Sequence, residues 1–238
     1  MKHVVITGAT SGIGQQLALD YAAEGWLVTA CGRDETRLIA LGVHHPTIVT
    51  RRFDITDLSE TRKALADCSA DLVILCAGTC EYLDNGVVEA ERVARVLNTN
   101  FLGPINCLDA LLPQLSSGSR IALVGSTASM IPMPRAEAYG ASKAALAYFA
   151  RSLAVDLAKS GINVSLILPG FVATPLTDRN DFAMPMIITS KQASHYIHSG
   201  LAKGAAEIAF PPLFAALLRL AGLLPQALQR WLAKRLVR

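Results

Sequence analysis

The chain has 238 residues, 52% of them hydrophobic and 17% charged, with a formal net charge of +3 and a mean hydropathy of +0.37. That length and apolar content fit one α/β domain with a full core and exclude a disordered chain. A charge this small gives no ground for nucleic-acid binding.

Strand and helix signals alternate from the start. His3–Thr7 reads as a buried strand, and residues 13–24 repeat apolar side chains at helical spacing until Gly25 ends them. Trp26–Cys31 is the second predicted strand, Asp34 caps a helix to about Leu41, and Thr47–Arg52 is the third strand. A helix over 58–66 leads to the apolar strand Leu72–Cys76, then helices over 88–99 and 102–115. Ile121–Gly125 is a fifth strand, followed by a long helix from Tyr139 to Ser160 closed by Gly161. Asn163–Leu168 is a sixth strand, stopped by Pro169-Gly170; a helix over 190–203 and a short strand over 206–209 complete the pattern. Uncharged strands alternating with helices predict a doubly wound, Rossmann-like parallel sheet of about seven strands with helices on both faces. Residues 1–210 form that domain, and 211–238 form a basic amphipathic helical tail.

Cys31, Cys68, Cys76, Cys80 and Cys107 are odd in number and sit mostly in apolar surroundings, which predicts reduced thiols and a cytoplasmic protein. No nearby Cys or His completes a tetrahedral site with Cys76 and Cys80, so no metal is expected. The N-terminal residues run straight into strand and glycine turn, without a signal-peptide h-region, and no apolar run reaches the roughly 18 residues of a membrane span.

Two stretches carry chemistry. Thr7-Gly-Ala-Thr-Ser-Gly-Ile-Gly14 lies between the first strand and helix. Gly8, Gly12 and Gly14 permit a tight turn, and the helix N-terminus behind them suits a pyrophosphate. Tyr139 and Lys143 stand four residues apart, on one helix face. A buried or cofactor-facing Lys⁺ would lower the tyrosine pKa from its reference of about 10 and make an acid/base pair for a carbonyl oxygen.

T-G-x-x-x-G-I-G together with Y-x-x-x-K resembles the short-chain dehydrogenases/reductases over roughly residues 2–210. The resemblance implies hydride transfer between a nicotinamide and a substrate carbonyl, with Tyr139 as general acid/base. It makes Lys143 the group that tunes the tyrosine and holds the nicotinamide ribose. Ser126 then contacts the substrate oxygen, and Asn100, in Asn100-Phe-Leu-Gly103, supports the proton path. It also implies cofactor contacts from Gly8, Thr10, Ser11, Gly12, Ile13 and Gly14, from Asp54 and Ile55 at the adenine, and from Cys76, Ala77 and Gly78. Pro169, Gly170, Val172 and Thr174 would complete them at the nicotinamide carboxamide. One departure stands out: Leu75-Cys76 replaces the asparagine pair of N-N-A-G, so a local structural change is expected there without loss of activity.

Gly32 occupies the place of the family's NAD-selecting acid, and Arg33 beside it suits a 2′-phosphate, which favours NADP over NAD and carbonyl reduction. Arg33 is also an ordinary residue for a helix start, with Asp34 as cap. The apolar residues of 175–188, with Met130, Ile131 and Met133, suggest a lipophilic ketone or aldehyde as substrate, or they serve only to pack a lid onto the body. The resemblance further implies a homodimer or homotetramer. In the tail, Leu228, Leu232 and Leu236 lie beside Trp231, and Arg230, Lys234 and Arg238 form a basic stripe. Packing against the body or a subunit is the commoner fate of such a helix, and peripheral membrane contact is the other. A non-catalytic dinucleotide-binding sensor or scaffold is the alternative to the enzyme.

Overall fold

The computed structural model describes residues 1–234 of the chain. Leu236 and Arg238 of the expected tail stripes lie outside the described residues, as does the side chain of Leu232.

In chain order the elements are β1 (His3–Thr7), α1 (Gly12–Ala23), β2 (Leu27–Gly32), α2 (Glu35–His44), β3 (Ile48–Arg52), α3 (Leu58–Leu65) and β4 (Leu72–Leu75). There follow α4 (Ala90–Leu97), α5 (Gly103–Leu111), β5 (Arg120–Val124), α6 (Glu137–Leu157) and β6 (Asn163–Pro169). Then come β7 (Val172–Ala173), β8 (Ile188–Thr189), α7 (Ser190–Ala202), β9 (Glu207–Phe210), α8 (Pro212–Gly222) and α9 (Gln226–Lys234).

Seven strands form one parallel sheet in the order β3-β2-β1-β4-β5-β6-β9. Strand side chains alternate between two buried layers, as a period of two requires. Val4, Ile6, Ile74 and Ile167 face α1 and α7, where Leu17, Tyr21, Ala193 and Ile197 meet them. Val5, Val73, Leu123 and Leu166 face the opposite layer, with Leu65 of α3, Leu108 of α5 and Leu146 of α6. The chain reverses its direction of growth between β1 and β4, and at such a switch point the strand ends open a crevice.

Two differences from the sequence reading concern that crevice. The helices expected over 88–99 and 102–115 are one continuous rod, with a π-helical turn at Asn98–Leu102 joining α4 to α5. A second, two-stranded parallel ribbon pairs Val172 with Ile188 and Ala173 with Thr189, pinning both ends of the 175–188 segment.

α8 packs back on the body. The rings of Phe214 and Phe171 lie 5.7 Å apart, and Ala215 is buried.

Candidate active site

The glycine turn follows β1. Gly8 has φ +70, and a Cβ there would come within 2.7 Å of the Ala77 backbone. Gly12 has φ +56 and faces the Thr174 methyl, at 2.9 Å from where its Cβ would be. Side chains are excluded at both places by sterics and by backbone conformation. Whereas α2, α3 and α7 are capped by Asp34, Asp57 and Thr189, α1 begins at Ser11 with no side-chain cap and no acid in its first turn. No side chain of its own cap therefore competes with an anion there, although the Gly14 N–H meets the Cys76 thiol.

β4 ends one residue earlier than expected. The Thr7 hydroxyl accepts from the N–H groups of Cys76 (3.1 Å) and Ala77 (3.3 Å), so β1 steadies the strand end where the family uses asparagine. Asn100 is fully buried in the π-helical turn. Its Oδ1 accepts from Thr79 N–H (2.8 Å), and its Nδ2 donates to Thr79 O (2.9 Å) and Ser142 Oγ (3.0 Å). That amide bridge joins the β4 loop to α6 and accounts for the wound-out turn: the helix bends so that the side chain reaches the loop.

Ser126 follows β5 and accepts from Ala128 N–H at 3.1 Å, while Thr127 Oγ1 donates to Pro169 O at 3.1 Å, locking the β5 and β6 ends together. On α6, Lys143 is only 4% exposed, and its Nζ donates to Val124 O at 2.8 Å. The same Nζ lies 5.9 Å from the centre of the Tyr139 ring. Burial pushes the Tyr139 phenol up to about 12, a hydrogen bond with Ser126 pulling the other way. Burial lowers Lys143 to about 8, against raising influences from Cys76 and Cys80. The expected depression of the tyrosine is therefore absent in this arrangement. A buried phenolate is costly, and the lysine charge is directed at a carbonyl instead.

These groups open onto one cleft of about 480 Å³. It is lined by every residue expected at the cofactor, from Gly8, Thr10, Ser11, Gly12, Ile13 and Gly14 through Arg33, Asp54, Ile55, Cys76, Ala77 and Gly78 to Pro169, Gly170, Val172 and Thr174. Ser126, Tyr139 and Lys143 line it too, while Asn100 lies beneath the wall. At the far end Arg33 reaches Asp54 at 3.3 Å with its own side chain 70% exposed. Burial opposes ionisation of Asp54, but hydrogen bonds from Thr56 and Arg33 hold its carboxyl below the usual value.

The sequence reading missed several lining residues. Arg37, in the first turn of α2, lines the cleft with Arg33 and pairs with Asp34 at 3.3 Å. Thr177 donates to Val172 O at 2.6 Å and binds Thr174. A clamp that ties three loops together was also missed. Arg135, at φ +64, donates to Asp84 and Asp181, both at 2.6 Å, and lies over the Tyr82 ring. Tyr82 in turn donates to Asn180 at 2.8 Å. Among the described residues no cluster of His, Cys, Asp and Glu could hold a metal ion, and no helix is long and apolar enough to cross a membrane.

Fold and cleft together define a Rossmann-type dinucleotide-binding protein. A family model described as short chain dehydrogenase matches residues 2–183. An uncharacterized oxidoreductase of Myxococcus xanthus is 36% identical over 99% of this chain and 97% of that protein. A protein of Arabidopsis thaliana named 11-beta-hydroxysteroid dehydrogenase 1A is 31% identical over 76% of this chain, and that stretch is 55% of its own length. Among solved structures, a short chain dehydrogenase/reductase from Burkholderia phymatum in complex with NAD superposes with a TM-score of 0.81 at 21% identity, covering 92% of each chain. An actinorhodin polyketide ketoreductase with NADPH gives 0.78 at 22% identity, covering 88% of this chain and 95% of that one. The chain belongs to the short-chain dehydrogenase/reductase family and is an oxidoreductase.

Proposed function

We propose that the protein reduces a lipophilic ketone or aldehyde to an alcohol with NADPH, or runs the reverse reaction. The observation that carries this reading is the placing of Tyr139 with Ser126 and Lys143 on the wall of the cleft that begins at α1. The uncapped helix and the steric cradle at Gly8 and Gly12 fit a dinucleotide pyrophosphate. Arg33 and Arg37, with Gly32 in place of an acid, fit a 2′-phosphate. Asp54 would meet the adenine, and Thr174 the carboxamide. Bound there, the nicotinamide supplies the hydride.

The chain's own residues do the rest. Ser126 donates to the carbonyl oxygen and orients it. Tyr139 gives its proton to that oxygen as negative charge develops. Lys143, charged below about 8, stabilises the phenolate left behind and holds the ribose hydroxyls. Asn100 positions the Thr79 loop and Ser142 next to this set.

The rings of Tyr82, Phe182, Phe171 and Phe214 form a chain of contacts 5.7–6.1 Å apart beside the clamp, which supports an apolar substrate. The names of the hydroxysteroid dehydrogenase relatives point the same way. Exposed Tyr148 and Val155 on α6 support a homodimer or homotetramer through the long helices, and the five free cysteines fit a reducing cytoplasm.

Fluorescence titration with NADPH and with NADH, followed by turnover on a panel of apolar ketones and aldehydes, tests the reading. Tighter NADPH binding with turnover is expected. Preference for NADH would overturn the cofactor assignment, and NADPH binding without turnover would favour a dinucleotide sensor.

A further inference from the structure

The two faces of α8 are both apolar, and only one of them is used. Phe214, Ala215 and Gly222 face inward: the Phe214 ring is tilted by 47° against that of Phe171, and Gly222 leaves room for Met130 O, 3.2 Å from where its Cβ would stand. Leu213, Leu217, Leu220 and Leu223 fall at i, i+4, i+7 and i+10 on the opposite side and are 60%, 51%, 62% and 82% exposed. Packing on the body therefore accounts for the inner face and leaves a leucine stripe in solvent. Contiguous exposed apolar surface of this kind marks an interaction site.

Charge says what covers it. Residues 208–238 contain five Arg or Lys and no Asp or Glu. Arg219 is tied back to Glu207, whereas Arg230 and Lys234 on α9 are exposed and pair with no carboxylate among the described residues. A second copy seated face to face would set this basic set against itself. An anionic lipid surface satisfies both features at once, taking leucines into the acyl boundary and lysine and arginine at the headgroups.

We infer that α8 and α9 form a peripheral docking surface for anionic membranes, with α8 beside Met130 and beside Gly170, which lines the cleft. The leucine stripe inserts, and Arg230 and Lys234 contact lipid phosphates.

The test is flotation of the full chain with vesicles of phosphatidylcholine alone and of phosphatidylcholine with phosphatidylglycerol. Leu217→Asp with Leu220→Asp, and Arg230→Glu with Lys234→Glu, are the two variants. All four positions are exposed, and unchanged thermal melting confirms the fold. Flotation with anionic vesicles, weakened about tenfold or more by either variant and by high salt, is the expected result. The inference is overturned if the protein does not float with anionic vesicles. It is equally overturned if it floats on neutral ones regardless of the Arg230 and Lys234 charges. A dimer by light scattering that the leucine variant breaks, without vesicle binding, would assign the face to a second copy instead. None of these readouts depends on the redox activity proposed above.

Discussion

Lys143 Nζ donates to the Val124 carbonyl at 2.8 Å, tying the catalytic helix to the end of β5. That bond fixes the ammonium in the wall of the cleft while the phenol of Tyr139 keeps its proton. The ammonium is costly to bury.

The cost is measurable as a pH dependence of stability. The Lys143 pKa falls from 10.5 to about 8 on folding, so between those values the unfolded chain binds more protons than the folded one. The Lys143 contribution therefore makes stability rise with pH across that window. In Lys143→Met this rise should flatten, as read by urea unfolding at a series of pH values. Turnover in the reducing direction should fall through about 8 as the cation is lost.

Arg33 should set cofactor choice. Removing its guanidinium in Arg33→Ala should raise the NADPH Kd about tenfold or more while leaving that for NADH within about twofold, by fluorescence titration. Equal losses for both cofactors would make Arg33 a structural partner of Asp54 and no more.

Asn100 should matter to stability as well as rate, because it is fully buried and its amide satisfies both the N–H and the carbonyl of Thr79. Asn100→Ala leaves those groups without partners and should cost about 1–3 kcal/mol in denaturant unfolding. A smaller change would mean that the π-helical turn persists without the bridge.

The Arg135 clamp joins the 82–84 loop to the 180–181 segment, a segment the proposal places over the substrate. Arg135→Ala should loosen that cover and raise KM for the carbonyl substrate roughly threefold to tenfold, with kcat within about twofold. Loss of kcat alone would place Arg135 in the chemistry instead.

Much of this was legible in the sequence for physical reasons. Most strands of the sheet are apolar runs between helices, with charges only in β3 and at the first residue of β5 and β9, and the glycine turn and Tyr139–Lys143 pair are local spacings. What escaped depends on contacts distant along the chain. The π-helical turn exists because Asn100 reaches a loop 21 residues earlier. The clamp joins Arg135 to partners 51 and 46 residues away. β7 and β8 have two residues each, too few to show alternation. The half-buried setting of Tyr139 in the cleft wall also escaped, because Tyr–Lys spacing tells of proximity but not of exposure.

The most direct test of the central claim is NADPH oxidation at saturating cofactor with an apolar ketone, comparing the native chain with Tyr139→Phe. The account predicts turnover that falls by about 10²–10⁴-fold in the variant while the NADPH Kd is unchanged. Equal rates in the two proteins would show that Tyr139 is not the proton donor and would contradict the account.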